Sequence, residues 1–204
     1  MRPRRRQPPP AEAFIFDLDG TLTVPQLDFG AIRKEMGIAG GGLLEELDRL
    51  DGEAAARARK ILEEHEERAA RTAVLQPGAR RVLTELRRRK LPTAILTRNS
   101  RQSLDTVLCR HRLEVDRSLS REEAPVKPSP DPVLILCGEL GIAPEKTYVT
   151  GDYIFDIESA RDAGAVSVLL VNPKNSMFSE QADLKIANLM EILDFPNRSR
   201  KKTA

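Results

Sequence analysis

The sequence predicts an α/β fold, a doubly wound parallel sheet core carrying a small inserted helical cap. Three observations lead there. Short apolar runs alternate with helix-length amphipathic segments, the rhythm that builds βαβ units. The apolar runs do not alternate with polar residues, as strands covered on both faces require. Finally, Asp17, Thr97 and Asp152 each fall at or just past the C-terminal end of such a run, at the edge where open α/β sheets bind ligands.

The elements follow in order. Residues 14–17, 93–97, 147–150 and 166–171 are the clearest strand candidates, and 115–119 is a weaker one. Residues 77–89 open on Pro77, which suits a first helical turn, and carry Val82, Leu83 and Leu86 at helical spacing. Residues 101–112 place Leu104, Val107 and Leu108 on one face, and 130–140 form a helix stopped by Gly141. A short helix over 157–163 stops at Gly164. Residues 24–76 interrupt the rhythm with Gly37, the run Gly40-Gly41-Gly42 and a charged helical stretch over 43–72 that breaks near Asp51-Gly52. The core is therefore 13–23 plus 77–196. Within the insertion, Glu63, Glu64, Glu66, Glu67 and Arg68 read as a solvated face, and His65 among them reads as a surface residue.

Composition narrows the function classes. With 40% hydrophobic and 31% charged residues over 204 positions, the chain can bury a sizeable core. Aromatics make up only 4% and Trp is absent, so nucleic acid, which needs stacking platforms, is disfavoured as a partner. No apolar stretch approaches the roughly 20 residues of a membrane span, and no secretory signal core is evident. Cys109 and Cys137 sit in helix-like apolar contexts and read as reduced core residues, so a cytoplasmic location is expected. The formal charge of +2 is uneven. Arg2, Arg4, Arg5, Arg6, Arg198, Arg200, Lys201 and Lys202 crowd two tails without acids, and Pro3, Pro8, Pro9 and Pro10 join the first group. Residues 1–12 are thus expected to form a disordered arm and 197–204 a basic tail. Both suit either a solvated end or a polyanion.

The chemistry concentrates in Asp17-Leu18-Asp19-Gly20-Thr21, directly after an apolar run. Gly20 frees the backbone to turn, so two carboxylates can converge on one small volume. One can be ionised and nucleophilic while the other holds a proton. Lys127 precedes a Pro-rich helix start, where its ammonium and the helix N-terminus both favour an anion. Neither His65 nor His111 has the context of a triad, and scattered Cys and His residues give no zinc-ligand spacing.

The five-residue segment resembles the first signature of the haloacid dehalogenase-like superfamily. Three further segments resemble its later motifs in the same order: residues 91–99 ending in Thr97-Arg98-Asn99, residues 124–130 with Lys127, and residues 149–157 with Gly151-Asp152 and Asp156. The resemblance implies a Rossmann-like core and, for 24–76, a C1 cap of the phosphoglycolate phosphatase-like group. It further implies a Mg²⁺-dependent phosphatase acting on a small phosphorylated metabolite. Asp17 would be the nucleophile that forms an aspartyl-phosphate, and Asp19 the general acid and base. Thr97, Arg98 and Lys127 would bind the phosphate. Asp17, Asp152, Asp156 and the backbone carbonyl of Asp19 would hold the metal. A sugar-phosphate mutase shares the aspartate pair, and a non-catalytic binding protein using the basic tails is a further alternative. Many relatives carry a small Ser where this chain has Tyr153, next to the expected site. No oligomeric state follows from the sequence.

Overall fold

The computed structural model describes residues 8–197. The cationic clusters of both expected tails lie outside the described residues. Six strands form one parallel sheet: β1 (Ala13–Phe16), β2 (Thr93–Leu96), β3 (Arg117–Leu119), β4 (Thr147–Gly151), β5 (Val166–Leu170) and β6 (Leu184–Ile186). Their order is β3-β2-β1-β4-β5-β6. The chain winds one way from β1 to β3 and resumes on the other side of β1 at β4. That reversal opens a crevice outside the carboxyl ends of the two central strands.

Strand alternation sorts the core into two layers. Phe14, Phe16, Ile95 and Tyr148 face α4 (Ala79–Arg88) and α5 (Arg101–His111) through Val82, Leu83, Leu86 and Leu104. Ile15, Ala94, Leu96 and Val149 face α6 (Asp131–Leu140) and α7 (Ile154–Asp162) through Val133, Leu136 and Ala160. Each fully buried Leu, Ile or Phe contributes about 1.5–3 kcal/mol, so both faces hold the sheet firmly. Among the described residues, no helix is long and apolar enough to cross a membrane.

The insertion folds as α1 (Phe29–Met36), α2 (Leu43–Leu47) and α3 (Gly52–Thr72), around a small core of Ile32, Leu43, Leu47, Ala58 and Leu62. Its two linkers pair with each other. Val24 N–H donates to the Val74 carbonyl at 2.8 Å, and Gln76 N–H to that of Leu22 at 2.9 Å. The end of α3 belongs to the main core through Ala70. Higher up α3, the Glu66 carboxylate accepts from Ser100 N–H at 3.1 Å and pairs with Arg121.

Several expectations change. Glu66 is 3% exposed and not on a solvated face, because α3 lies against α5 there. His65 is partly buried and bonds Glu35 at 2.8 Å, tying α3 to α1. Cys137 is buried as expected, but Cys109 is exposed, since the buried side of α5 is set by Ser103, Leu104 and Val107. The helix expected from residue 157 starts at Ile154 because Asp156 caps it from within, accepting from Tyr153 N–H at 3.1 Å. Residues 8–12 are not free: Tyr148 donates its hydroxyl to the Pro9 carbonyl at 2.7 Å, and buried Ala11 pairs with Asn197. Tyr148 and Phe195 make the apolar seat for that segment.

The Glu66 pair makes a stability prediction. Glu66→Ala leaves Arg121 only the Glu122 carboxylate at 3.8 Å and the Arg98 carbonyl at 3.3 Å, and is expected to cost roughly 3 kcal/mol, the low end of the penalty for breaking a buried pair from one side. Glu66→Gln still accepts from Ser100 N–H and should cost less than half as much, as urea unfolding of the two variants would measure.

Candidate active site

The crevice is floored by the ends of β1, β2 and β4. Asp17 continues the ladder past β1, its N–H donating to the Thr150 carbonyl at 2.8 Å. The chain then turns through Gly20 at φ +93°, and a Cβ there would lie 2.4 Å from the Asp152 carboxylate. Only glycine permits this turn to press against Asp152. Gly151 does the same on the other side, since a Cβ would sit 2.0 Å from Cγ of Asp156. Asn175 fixes the backbone between them, donating to the carbonyls of Asp152 at 2.7 Å and Leu170 at 2.9 Å.

Lys127 joins these pieces. Its ammonium donates to Asp17 Oδ1 and Asp156 Oδ1, both at 2.6 Å, and to the Leu96 carbonyl at 2.9 Å. An ammonium has three donors, and all three are used. The group is 3% exposed, and the two carboxylates hold its pKa above the ordinary value despite burial. It is therefore a fixed positive charge at the crevice floor.

The acids outnumber it. Burial raises the Asp17 pKa to about 6, against the lowering pull of Lys127. Burial, then the neighbouring Asp17 charge, raises Asp19 to about 7. Burial and the charge of Asp17 raise Asp152 to about 8. One ligand oxygen from each of Asp17, Asp152 and Asp156 lies within 4.8 Å of the others. These hard oxygen donors, short of positive charge and with Asp17 and Asp156 buried, fit a divalent cation such as Mg²⁺.

The other expected residues separate. Thr97 is buried at the end of β2, its hydroxyl oxygen accepting from Asn99 N–H at 3.1 Å, and it lines the crevice. Arg98 also lines it, but its guanidinium is engaged elsewhere. It pairs with Glu45 of α2 at 2.6 Å, donates to the Lys127 carbonyl at 2.8 Å and lies 4.4 Å from the centre of the Phe155 ring. Phosphate binding was the expectation for Arg98; its observed contacts are a clamp between cap and core. Sequence reasoning places Glu66 on a solvated face and passes over Arg121, because the two are partners 55 positions apart. Tyr153 stands at the mouth, edge-on to Phe155 and Phe178.

The cap roofs the floor to leave a cavity of about 520 Å³. Leu27, Phe29, Leu43, Leu44 and Leu62 supply apolar walls above Asp17, Asp19 and Asp152. The space suits a small molecule with one polar end and an apolar body.

A parallel sheet whose switch point gathers four carboxylates and one buried ammonium under a helical cap defines an α/β enzyme with an acid-based site. The model for haloacid dehalogenase-like hydrolases matches residues 11–164, and the chain belongs to that family. An uncharacterized hydrolase of Saccharomyces cerevisiae is 30% identical, with 94% of each chain covered. An N-acetylmuramic acid 6-phosphate phosphatase of Pseudomonas aeruginosa is 36% identical over 36% of this chain and 34% of its own. Among solved structures, a hydrolase from Pseudomonas syringae superposes with a TM-score of 0.76 at 25% identity, covering 90% of this chain and 98% of that one.

The raised carboxyl pKa values fix a sign. The folded protein holds protons on Asp17, Asp19 and Asp152 that the unfolded chain releases near 3.8, the ordinary aspartate value. With a chelator present, stability should therefore fall as pH rises from about 4 to about 8. Added Mg²⁺ should raise the melting temperature more at the top of that range than at the bottom, since it binds the ionised acids. Melting curves across pH with and without the metal check this, and a flat chelator profile would contradict it.

Proposed function

We propose that this enzyme is a phosphatase that hydrolyses a small-molecule phosphate monoester through an aspartyl-phosphate on Asp17. The observation that carries the reading is the pairing of Asp17, fixed at 2.6 Å from Lys127, with Asp19, a carboxyl held near neutrality two residues away. The phosphatase name carried by a relative supports it.

Asp17 is mostly ionised at neutral pH and attacks phosphorus in line with the leaving oxygen. As the phosphorus–oxygen bond breaks, Asp19 gives its proton to that oxygen and the alcohol departs. A pKa of about 7 lets Asp19 then take a proton from water, which attacks the aspartyl-phosphate and frees inorganic phosphate. Thr97 can donate its hydroxyl to a phosphoryl oxygen, since its own oxygen is the acceptor for Asn99 N–H. Lys127 keeps positive charge beside the attacking carboxylate as the phosphoryl oxygens accumulate negative charge. Mg²⁺ held by Asp17, Asp152 and Asp156 would offset the repulsion between the nucleophile and an anionic ester. The cap excludes water other than the attacking one while the ester is bound.

In a panel of phosphate esters with Mg²⁺, free phosphate should be released. Asp17→Asn should lower kcat by about a thousandfold or more, and Asp19→Ala by about 10²–10⁴-fold, the usual range for losing a general acid. Isomerised sugar phosphate without phosphate release would instead indicate a mutase. Turnover of no ester at all would sink the reading.

A further inference from the structure

Above the carboxylate floor, the cavity is walled by carbon. The cap contributes Leu27, Phe29, Leu43, Leu44 and Leu62, and the core contributes the rings of Tyr153 and Phe155. Phe29, from the cap, and Tyr153, from the core, are 48% and 49% exposed. Rings left that open to water forgo the stabilisation that burial gives, and a bound body of matching character recovers it.

The polar side chains that reach the same space are already engaged. Both oxygens of Glu66 accept, one from Arg121 and the other from Ser100 N–H. The terminal nitrogens of Arg98 donate to Glu45 and to the Lys127 carbonyl. Each guanidinium nitrogen of Arg33 donates to a carbonyl, that of Gly41 or of Phe29. Among the described residues that line the space, Asn99 and Tyr153 are the other polar side chains above the floor. A polyhydroxylated body would exchange its bonds with water for contacts with leucine, at a cost for every hydroxyl left unpaired. An apolar body of the same size loses nothing of that kind and gains from each carbon it buries.

We propose that the enzyme takes the phosphate ester of an apolar alcohol and selects against sugar phosphates and other polyhydroxylated esters. The inference rests on the phosphatase reading and names the class of leaving group. The phosphoryl end meets Asp17, Asp19 and Thr97 at the floor. The leucines enclose the carbon skeleton, and Phe29 and Tyr153 flank its far end.

The decisive pair is cyclohexylmethyl phosphate and glucose 6-phosphate, which share a ring size and a primary leaving oxygen and differ in the polar oxygens of the ring. With Mg²⁺ present, the first should exceed the second in kcat/KM by about a hundredfold or more. From ethyl through propyl to butyl phosphate, whose leaving oxygens are chemically alike, kcat/KM should rise about fourfold per methylene, mostly through KM. Phe29→Ser and Leu44→Ser should each lower the cyclohexylmethyl-to-ethyl ratio by about fivefold or more. A variant that merely disturbs the cap would lower both esters together and leave the ratio unchanged, which would overturn the role of these walls. A native enzyme that treats cyclohexylmethyl and glucose 6-phosphates alike, or prefers the sugar, would overturn the proposal outright. Calorimetric binding of the same pair to Asp17→Asn separates this from the phosphatase reading. The apolar ester should bind that variant more tightly and with the more negative heat-capacity change. If neither ester is hydrolysed, the phosphatase reading fails, while the binding preference still decides what the cavity selects.

Discussion

The site depends on one buried ammonium. Lys127 bonds the end of β1 through Asp17, the end of β2 through the Leu96 carbonyl and the first turn of α7 through Asp156. Without it, the carboxylates packed at the switch point would repel each other at short range and with little water to screen them. With it, they remain a cluster still short of positive charge, which is the condition for attracting both a cation and, through that cation, an anionic ester. Rigidity of the scaffold and affinity for its ligands come from the same charge imbalance.

The cap is two parts with different attachments. α3 is bound to the core in its last two turns, by Ala70 at its end and by the Glu66–Arg121 pair higher up, while Ala58 and Leu62 pack in the cap cluster. α1 and α2 are held less extensively, through the small cluster of Ile32, Leu43 and Leu47 against α3 and through the Glu45–Arg98 clamp. Gly41 adopts φ +85° in the loop between them. The roof of the cavity thus rests on a small apolar cluster and one ion pair to the core, and the pillar beside it on the main core and a buried ion pair.

Much of this architecture is legible in the sequence, for identifiable reasons. Strands β1, β2, β4 and β5 are buried on both faces, so they carry apolar, β-branched and small residues with no charge among them and are easy to find. β6 has three residues, one of them Lys185, too short for any period to show. α1 escapes notice because its only buried residue is Ile32, which leaves no apolar stripe. Asp17, Thr97, Asp152 and Lys127 could be found because strand ends and a family resemblance both mark them. Glu66 could not, since a charged residue in a charged helix looks solvated until Ser100 and Arg121 arrive from elsewhere in the chain. Arg98 was found, but its local context gave no sign of Glu45, 53 positions away.

The pairing of Ala11 with Asn197, and the bond from Ala11 N–H to the Pro196 carbonyl at 2.7 Å, bring the two ends of the folded body together. They meet just before β1, at the rim of the sheet opposite the carboxylates. A short peptide bridging the two would close the backbone into a ring without crossing the chemistry, and new openings could then be cut in surface loops. For the same reason, the described chain enters and leaves the fold on the side away from the mouth of the cavity.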